Sequence, residues 1–133
     1  MADYFFLYVE DDPMSREVMS MLMENVLEYP MAIFEDSADF VERFNALGRI
    51  PDVIFLDIHM EPVDGYEILR ILREDLGLSD VTIIAMTASV MAVDVEHLQE
   101  AGFSGLLGKP VRSRTFPEML ERILSGEAVW YIS

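Results

Sequence analysis

No cysteine occurs among the 133 residues, which excludes disulfide frameworks, thiol chemistry and thiolate zinc sites. Basic residues are scarce too. Lys and Arg total 9 against 25 Asp and Glu, a formal net charge of -16. A chain so poor in cations lacks the basic patch that engages nucleic-acid phosphates, so a direct nucleic-acid role is not expected. Positive ions or partners suit it better. Long apolar runs are also missing. Nothing approaches the length of a membrane span. The run Tyr4 to Val9 is too short for a signal-peptide core, and Glu10-Asp11-Asp12 follows at once. No membrane partner is expected, and the default location is the cytoplasm. There is no internal repeat, linker or low-complexity segment. The chain does have apolar residues, 52% of the total. That is too much for disorder, and at this length it is enough for the core of one domain.

The most informative stretch runs Val53-Ile54-Phe55-Leu56-Asp57-Ile58-His59-Met60-Glu61-Pro62-Val63-Asp64-Gly65. Four apolar residues lead straight into a carboxylate, and a loop with proline and Asp-Gly follows. A continuous apolar run of this length reads as a strand buried on both faces, as in a parallel sheet. Asp57 then stands at the strand's C-terminal end, where open α/β sheets place their ligand sites.

The rest of the chain repeats the alternation. Tyr4 to Val9 reads as a first strand. Asp12 is a natural N-cap before Pro13, and Val18, Met21, Leu22 and Val26 recur at helical spacing up to Pro30. Met31 to Glu35 is a short second strand. Asp36-Ser37 opens a second helix with Phe40, Val41, Phe44 and Leu47 on one face and Gly48 as its stop. A third helix after Asp64-Gly65 carries Ile68, Leu69, Leu72 and Leu76, closed by Gly77. Val81 to Met86 is a fourth strand ending at Thr87-Ala88-Ser89. The fourth helix starts in the β-branched stretch from Val90 to Val95 and ends at Ala101-Gly102. Ser104 to Gly108 is a weak fifth strand leading to Lys109-Pro110. Thr115-Phe116-Pro117-Glu118 has capping-box spacing, and Met119, Leu120, Ile123 and Leu124 form the apolar face of a last helix ending at Gly126. Residues 1–126 are therefore read as one domain and 127–133 as a tail. Within the tail, Trp130-Tyr131 fits a disordered end, a patch packed on the last helix, or a dimer contact.

Strands and helices alternating in this way imply a parallel sheet with helices on both faces. With five strands the expected fold is α/β: a flavodoxin-like, doubly wound five-stranded parallel sheet of order 2-1-3-4-5. Its switch point falls between strands one and three. Strand one delivers Glu10 and Asp11 to that crevice, strand three Asp57, strand four Thr87, and strand five Lys109. Crowded carboxylates raise one another's pKa unless a cation neutralises them. All-oxygen donors suit Mg²⁺, with Mn²⁺ as the alternative, and not zinc. Thr87 and Lys109 offer a hydroxyl and an ammonium suited to phosphoryl oxygens. The expected ligand is a phosphoryl group held between a metal and a lysine.

These residues carry a family likeness. From Glu10-Asp11 through Leu56-Asp57, Asp64-Gly65 and Met86-Thr87-Ala88 to Lys109-Pro110, nearly the whole chain resembles the receiver domain of two-component response regulators. The layout is that of single-domain chemotaxis-type receivers. The resemblance implies a phosphoprotein of a phosphorelay, a signalling domain and not a conventional enzyme. Asp57 is then the phospho-acceptor, taking its phosphoryl group from the phosphohistidine of a sensor histidine kinase or phosphotransfer protein. Asp11 and Asp57 would hold Mg²⁺ directly, with the backbone carbonyl of His59, and Glu10 would act through water. Thr87 and Lys109 would take phosphoryl oxygens, and Lys109-Pro110 would be a cis peptide. The output implied is a switched surface for a downstream protein, with a homodimer through the last helices left open. The sequence shows no effector segment after the last helix. Output is then expected through protein contacts, onward phosphotransfer, or a domain outside this sequence.

Two departures stand out. Receivers commonly carry Tyr or Phe three residues before the lysine, where this chain has Leu106; the alternative is a binding module or relay intermediate with non-standard switching. Glu61 also intervenes before Pro62, which in the family usually follows the methionine directly. Other residues have plain structural readings. Asp12 and Asp64 are caps or turn residues, His59 contributes a carbonyl by position, His97 lies on a helix surface, and the methionines fill the core. Two other classes fit less well. A haloacid-dehalogenase-type phosphohydrolase needs a second Asp where His59 stands, and a flavin carrier's phosphate would be repelled by Glu10-Asp11-Asp12.

Overall fold

The computed structural model of the chain describes residues 3–89 and 93–130. The apolar runs become β1 (Phe6–Val9), β2 (Met31–Phe34), β3 (Val53–Asp57), β4 (Thr82–Thr87) and β5 (Gly105–Gly108). They form one five-stranded sheet of order β2-β1-β3-β4-β5, parallel at every pair. The expected order 2-1-3-4-5 is the observed one. Every residue of β1 and β3 is buried, as a central parallel strand covered on both faces requires.

Alternation along the strands sorts the core into two layers. Leu7, Val9, Ile54 and Leu56 face α2 (Phe40–Asn45), α3 (Gly65–Arg70) and α4 (Val95–Ala101) through Phe40, Phe44, Ile68, Leu69 and Leu98. Phe6, Tyr8, Phe55 and Met86 face α1 (Pro13–Ser20) and α5 (Phe116–Leu124) through Met19, Phe116, Leu120 and Ile123. Helices therefore cover both faces. No described helix is long and apolar enough to cross a membrane.

The helices depart from the expected phase in a physically informative way. α1 continues as a π-helical stretch over Met21–Val26, and α3 as another over Ile71–Asp75. The N–H of Leu27 donates to the Leu22 carbonyl at 2.9 Å, and that of Leu76 to Ile71 at 2.9 Å. The wider turn breaks the 3.6-residue period. Met21 and Val26, expected on the buried face of the first helix, are 46% and 58% exposed, while Met19 and Met23 are fully buried. Val41 is likewise 37% exposed on α2. Asp36-Ser37 do not cap α2. Asp36 accepts from the Ala38 N–H at 2.9 Å and from Arg43 at 2.8 Å, and α2 begins after Asp39, in the left-handed region at φ 49°. The Thr115 box is not formed either: its side chain makes no capping hydrogen bond. The β-branched start expected for the fourth helix falls partly on residues 90–92, outside the described residues. α4 itself begins at Val95, with the Asp94 carboxylate accepting from the His97 N–H at 3.3 Å.

Among the described residues the tail is seated on the sheet and is not a free end. It returns beside β5, where the Leu106 N–H donates to the Val129 carbonyl at 2.8 Å and Leu106 pairs with Trp130 in parallel register. Val129 joins the α1/α5 layer and Trp130 the other, the alternation of a strand. Tyr131 and Ile132 lie outside the described residues. Gly105 permits this approach, because a Cβ there would stand 2.5 Å from the Val129 oxygen and 3.0 Å from Ile84. Gly105→Ala should therefore lose roughly 1–3 kcal/mol in chemical denaturation, with red-shifted native emission from Trp130, the single tryptophan. An unchanged midpoint and unchanged emission would show that the strap is not seated.

Candidate functional site

Parallel register brings the C-terminal ends of β1, β3, β4 and β5 together. The ladders run one residue past the strands. The Glu10 N–H donates to Phe34 at 3.0 Å, that of Ile58 to Met86 at 3.1 Å, and that of Lys109 to Thr87 at 2.8 Å. Glu10 and Lys109 are thus held in extended register, where side-chain direction is fixed by the pleat.

One crevice results. Carboxylate oxygens of Glu10, Asp11 and Asp57 lie within 4.8 Å of one another. Glu10 and Asp57 are buried and Asp11 is exposed at the mouth. The Lys109 ammonium stands 2.7 Å from Glu10 Oε2 and 3.1 Å from Asp57 Oδ2. The first contact is a hydrogen bond. The second is an ion contact without hydrogen-bond alignment, so Asp57 Oδ2 is buried with no hydrogen-bond partner. Asp57 Oδ1 accepts only a long bond, 3.4 Å, from the His59 N–H.

Electrostatics follow from this packing. Burial, and then the neighbouring Glu10 carboxylate, push the Asp57 carboxyl up to about 7 despite Lys109. Burial works against the charge on Lys109, but Glu10 and Asp57 outweigh it and hold the ammonium above its ordinary range. An orphaned buried oxygen, three oxygen donors at cation-sharing distance and a mouth open at Asp11 fit a hard divalent cation.

Thr87 is fully buried at the end of β4, and its Oγ1 accepts from the Ser89 N–H at 3.1 Å. It sits one residue beyond Met86, the register partner of Asp57, and opposite Gly108. The imidazole-bearing residue His59 is exposed two residues after Asp57. Lys109-Pro110 is cis as expected, and so is Glu61-Pro62. Asp12 and Asp64 are caps: Asp12 accepts from Ser15 N at 3.0 Å and Asp64 from Glu67 N at 3.0 Å.

Two residues gained significance only with the structure. Tyr8 donates its hydroxyl to Glu10 Oε1 at 2.7 Å. Its position two before Glu10, hence on the same strand face, was the available signal. Gly65 lies so close to β3 that a Cβ would meet the Asp57 carbonyl oxygen at 2.4 Å. Any larger residue there would push α3 off β3.

The raised Asp57 pKa has a stability consequence. Its folded value, about 7, lies above its ordinary value of 3.8. The stability it contributes is full below about pH 4 and is lost as pH rises through about 7. In cation-free buffer at pH 8, Asp57→Asn should therefore be more stable than wild type by roughly 1–3 kcal/mol. The gap should close toward pH 4, and Mg²⁺ should raise the melting temperature of wild type only. A gap that does not vary with pH would refute this account.

Comparison with known proteins agrees with the geometry. The profile of the response regulator receiver domain matches residues 6–121. The chain is 32% identical over 124 residues to the nitrate/nitrite response regulator protein homolog of Haemophilus influenzae, covering 92% of this chain and 58% of that protein. It is 26% identical over 121 residues to the signal transduction histidine-protein kinase BarA of Escherichia coli, covering 91% of this chain and 13% of that one. The receiver domain of a Pseudomonas aeruginosa sensor histidine kinase, solved with magnesium coordinated in its active site cleft, superposes with a TM-score of 0.75. It is 27% identical, over 93% of this chain and 99% of that one. The chain thus spans less than two thirds of both curated relatives. A matching profile over most of the chain, the sheet order and the acidic crevice together make it a member of the response regulator receiver domain family of two-component signalling.

Proposed function

We propose that this receiver accepts a phosphoryl group on Asp57 from the phosphohistidine of a sensor histidine kinase or phosphotransfer protein. The observation that carries this reading is the buried, unpartnered Asp57 Oδ2, 3.1 Å from the Lys109 ammonium and clustered with Glu10 and Asp11. An Asp57 oxygen forms the new P–O bond as the P–N bond breaks, and the departing imidazole of the donor takes up a proton.

Asp11 and Asp57 would hold Mg²⁺, or Mn²⁺ in its place, with the His59 carbonyl, and Glu10 would act through water. Bound there, the ion supplies charge neutralisation for the carboxylates and for the phosphoryl oxygens. Lys109 stabilises a further oxygen, and the Thr87 hydroxyl takes a third once the Ser89 contact is released. A phosphoryl group adds about -1.5 to -2 charge. Moving Thr87 toward it displaces the loop after β4, and the cavity of about 240 Å³ beside Lys109 gives the start of α5 room to follow. Leu106, buried and tied to Val129, is not the moving part.

The domain acts as a signalling phosphoprotein in the cytoplasm and hands its state to a downstream protein. A homodimer through the last helices is one form that output takes. Incubation with acetyl phosphate and Mg²⁺ followed by intact mass spectrometry should add one phosphoryl group to wild type and none to Asp57→Asn. Lys109→Met should slow labelling roughly 10²-fold, the scale for removing one charge-stabilising donor. Equal labelling of Asp57→Asn, or an unlabelled wild type, would overturn the assignment.

A further inference from the structure

The Glu10 carboxylate is almost fully committed within the protein. Oε1 accepts from the Tyr8 hydroxyl at 2.7 Å. Oε2 accepts from the Asp12 N–H at 3.1 Å and from the Lys109 ammonium at 2.7 Å. Its main chain is fixed as well, the N–H to Phe34 and the carbonyl to Arg16 Nη1 at 3.0 Å. Two carboxylate oxygens offer about four acceptor positions, and three are used. Glu10 is 0% exposed, which leaves a single position for the water through which it would reach the cation.

Tyr8 is built to stay where it is. It is 1% exposed, its ring stands edge-on to Phe55 with centroids 6.3 Å apart, and Phe55 in turn meets Phe116 at the start of α5. Period-two alternation puts residues 8 and 10 on one face of the strand, so the phenol reaches the carboxylate with no change of rotamer or register. A buried tyrosine hydroxyl usually finds an acceptor. Here the acceptor belongs to the acidic crevice. Composition and spacing give Tyr8 no role beyond the core.

From this geometry we infer that Tyr8 is a positioning residue: its hydroxyl holds Glu10 as the anchor of Lys109 and keeps Glu10 out of direct contact with the divalent cation. The inference rests on the reading that Glu10, Asp11 and Asp57 surround that cation. Without the phenol, Oε1 would lose its donor and turn from an occupied acceptor into a free anionic ligand on a carboxylate that clusters with Asp11 and Asp57. Cation binding then tightens, while the tether that sets the lysine's place weakens. Tyr8 therefore limits cation affinity in order to keep the ammonium directed at the acceptor.

The test uses the whole chain and Mg²⁺ alone, titrated by calorimetry into wild type, Tyr8→Phe and Asp57→Asn. Wild type should bind and Asp57→Asn should not, while Tyr8→Phe should bind roughly tenfold more tightly, the scale of one charge-assisted hydrogen bond. A wild type without saturable binding removes the cation reading itself and the inference with it. If wild type binds but Tyr8→Phe binds equally or more weakly, the inference alone is overturned, and Tyr8 is a packing residue or orients Glu10 toward the ion. A second measurement needs no variant. A Tyr8 hydroxyl proton protected by burial and its bond to Glu10 should be visible in the NMR spectrum of wild type and persist at saturating Mg²⁺, and its loss on cation binding would equally overturn the inference.

Discussion

One ammonium among carboxylates is the constraint on which the site depends. Lys109 comes from the edge of the sheet and its partners from the two central strands, yet it lies within 3.1 Å of both Glu10 and Asp57. No local sequence feature produces that meeting. It follows from the parallel register, which aligns Asp57 with Met86 and Thr87 with Gly108, so that the next residue on β5 is the lysine. A slip of one residue would turn every side chain to the opposite face. The apolar pattern that fills the two core layers is therefore also what assembles the charges. One cation does not balance three carboxylates, and burial together with the neighbouring Glu10 keeps the Asp57 pKa raised despite it. That imbalance makes the crevice receptive to a divalent ion.

How much of this was readable beforehand differs by element. The strands were legible because a run such as Val53-Ile54-Phe55-Leu56 has one low-energy environment, the interior of a parallel sheet. Helix existence was legible from caps and glycine stops, which held at Asp12, Asp64 and Gly102. Helix faces were less so. A π-helical segment inserts extra residues per turn, and nothing in Met21 to Val26 announces it, so a 3.6-residue template assigns two exposed side chains to the core. At Thr115 the spacing of a capping box was present but its geometry was not, since the residue itself is in the right-handed helical region.

The chemical residues were legible for a different reason. Glu10, Asp11, Asp57, Thr87 and Lys109 each end an apolar run, and polar groups at strand ends of an open α/β sheet converge whatever the loops do. Their supporting network was not visible. Tyr8 reads as one more aromatic in a strand of aromatics, and only the crowding at Glu10 reveals that its hydroxyl has work outside the core. Gly65 reads as a turn glycine, whereas the structure uses its missing side chain to seat α3 against β3. Both are effects of close approach between segments distant in space or face, which a linear pattern does not encode.

The strap at Val129 and Trp130 bears on which parts of the domain are free to move. Without it β5 would be a bare edge, with unpaired backbone groups along one side and Lys109 just past its end. With it, Leu106 bonds to Val129 on one side while β5 pairs with β4 on the other. The strand carrying the lysine is thereby held between two neighbours, and Leu106 is fully buried within it. If Asp57 takes up the proposed phosphoryl group, the motion that follows arises where restraint is weakest. Among the described residues the end of β4 is such a place, where Ala88 and Ser89 are exposed and a hydrogen bond runs into the Thr87 hydroxyl. A fixed lysine beside a lightly held hydroxyl is a division of labour that the strand packing alone is enough to produce.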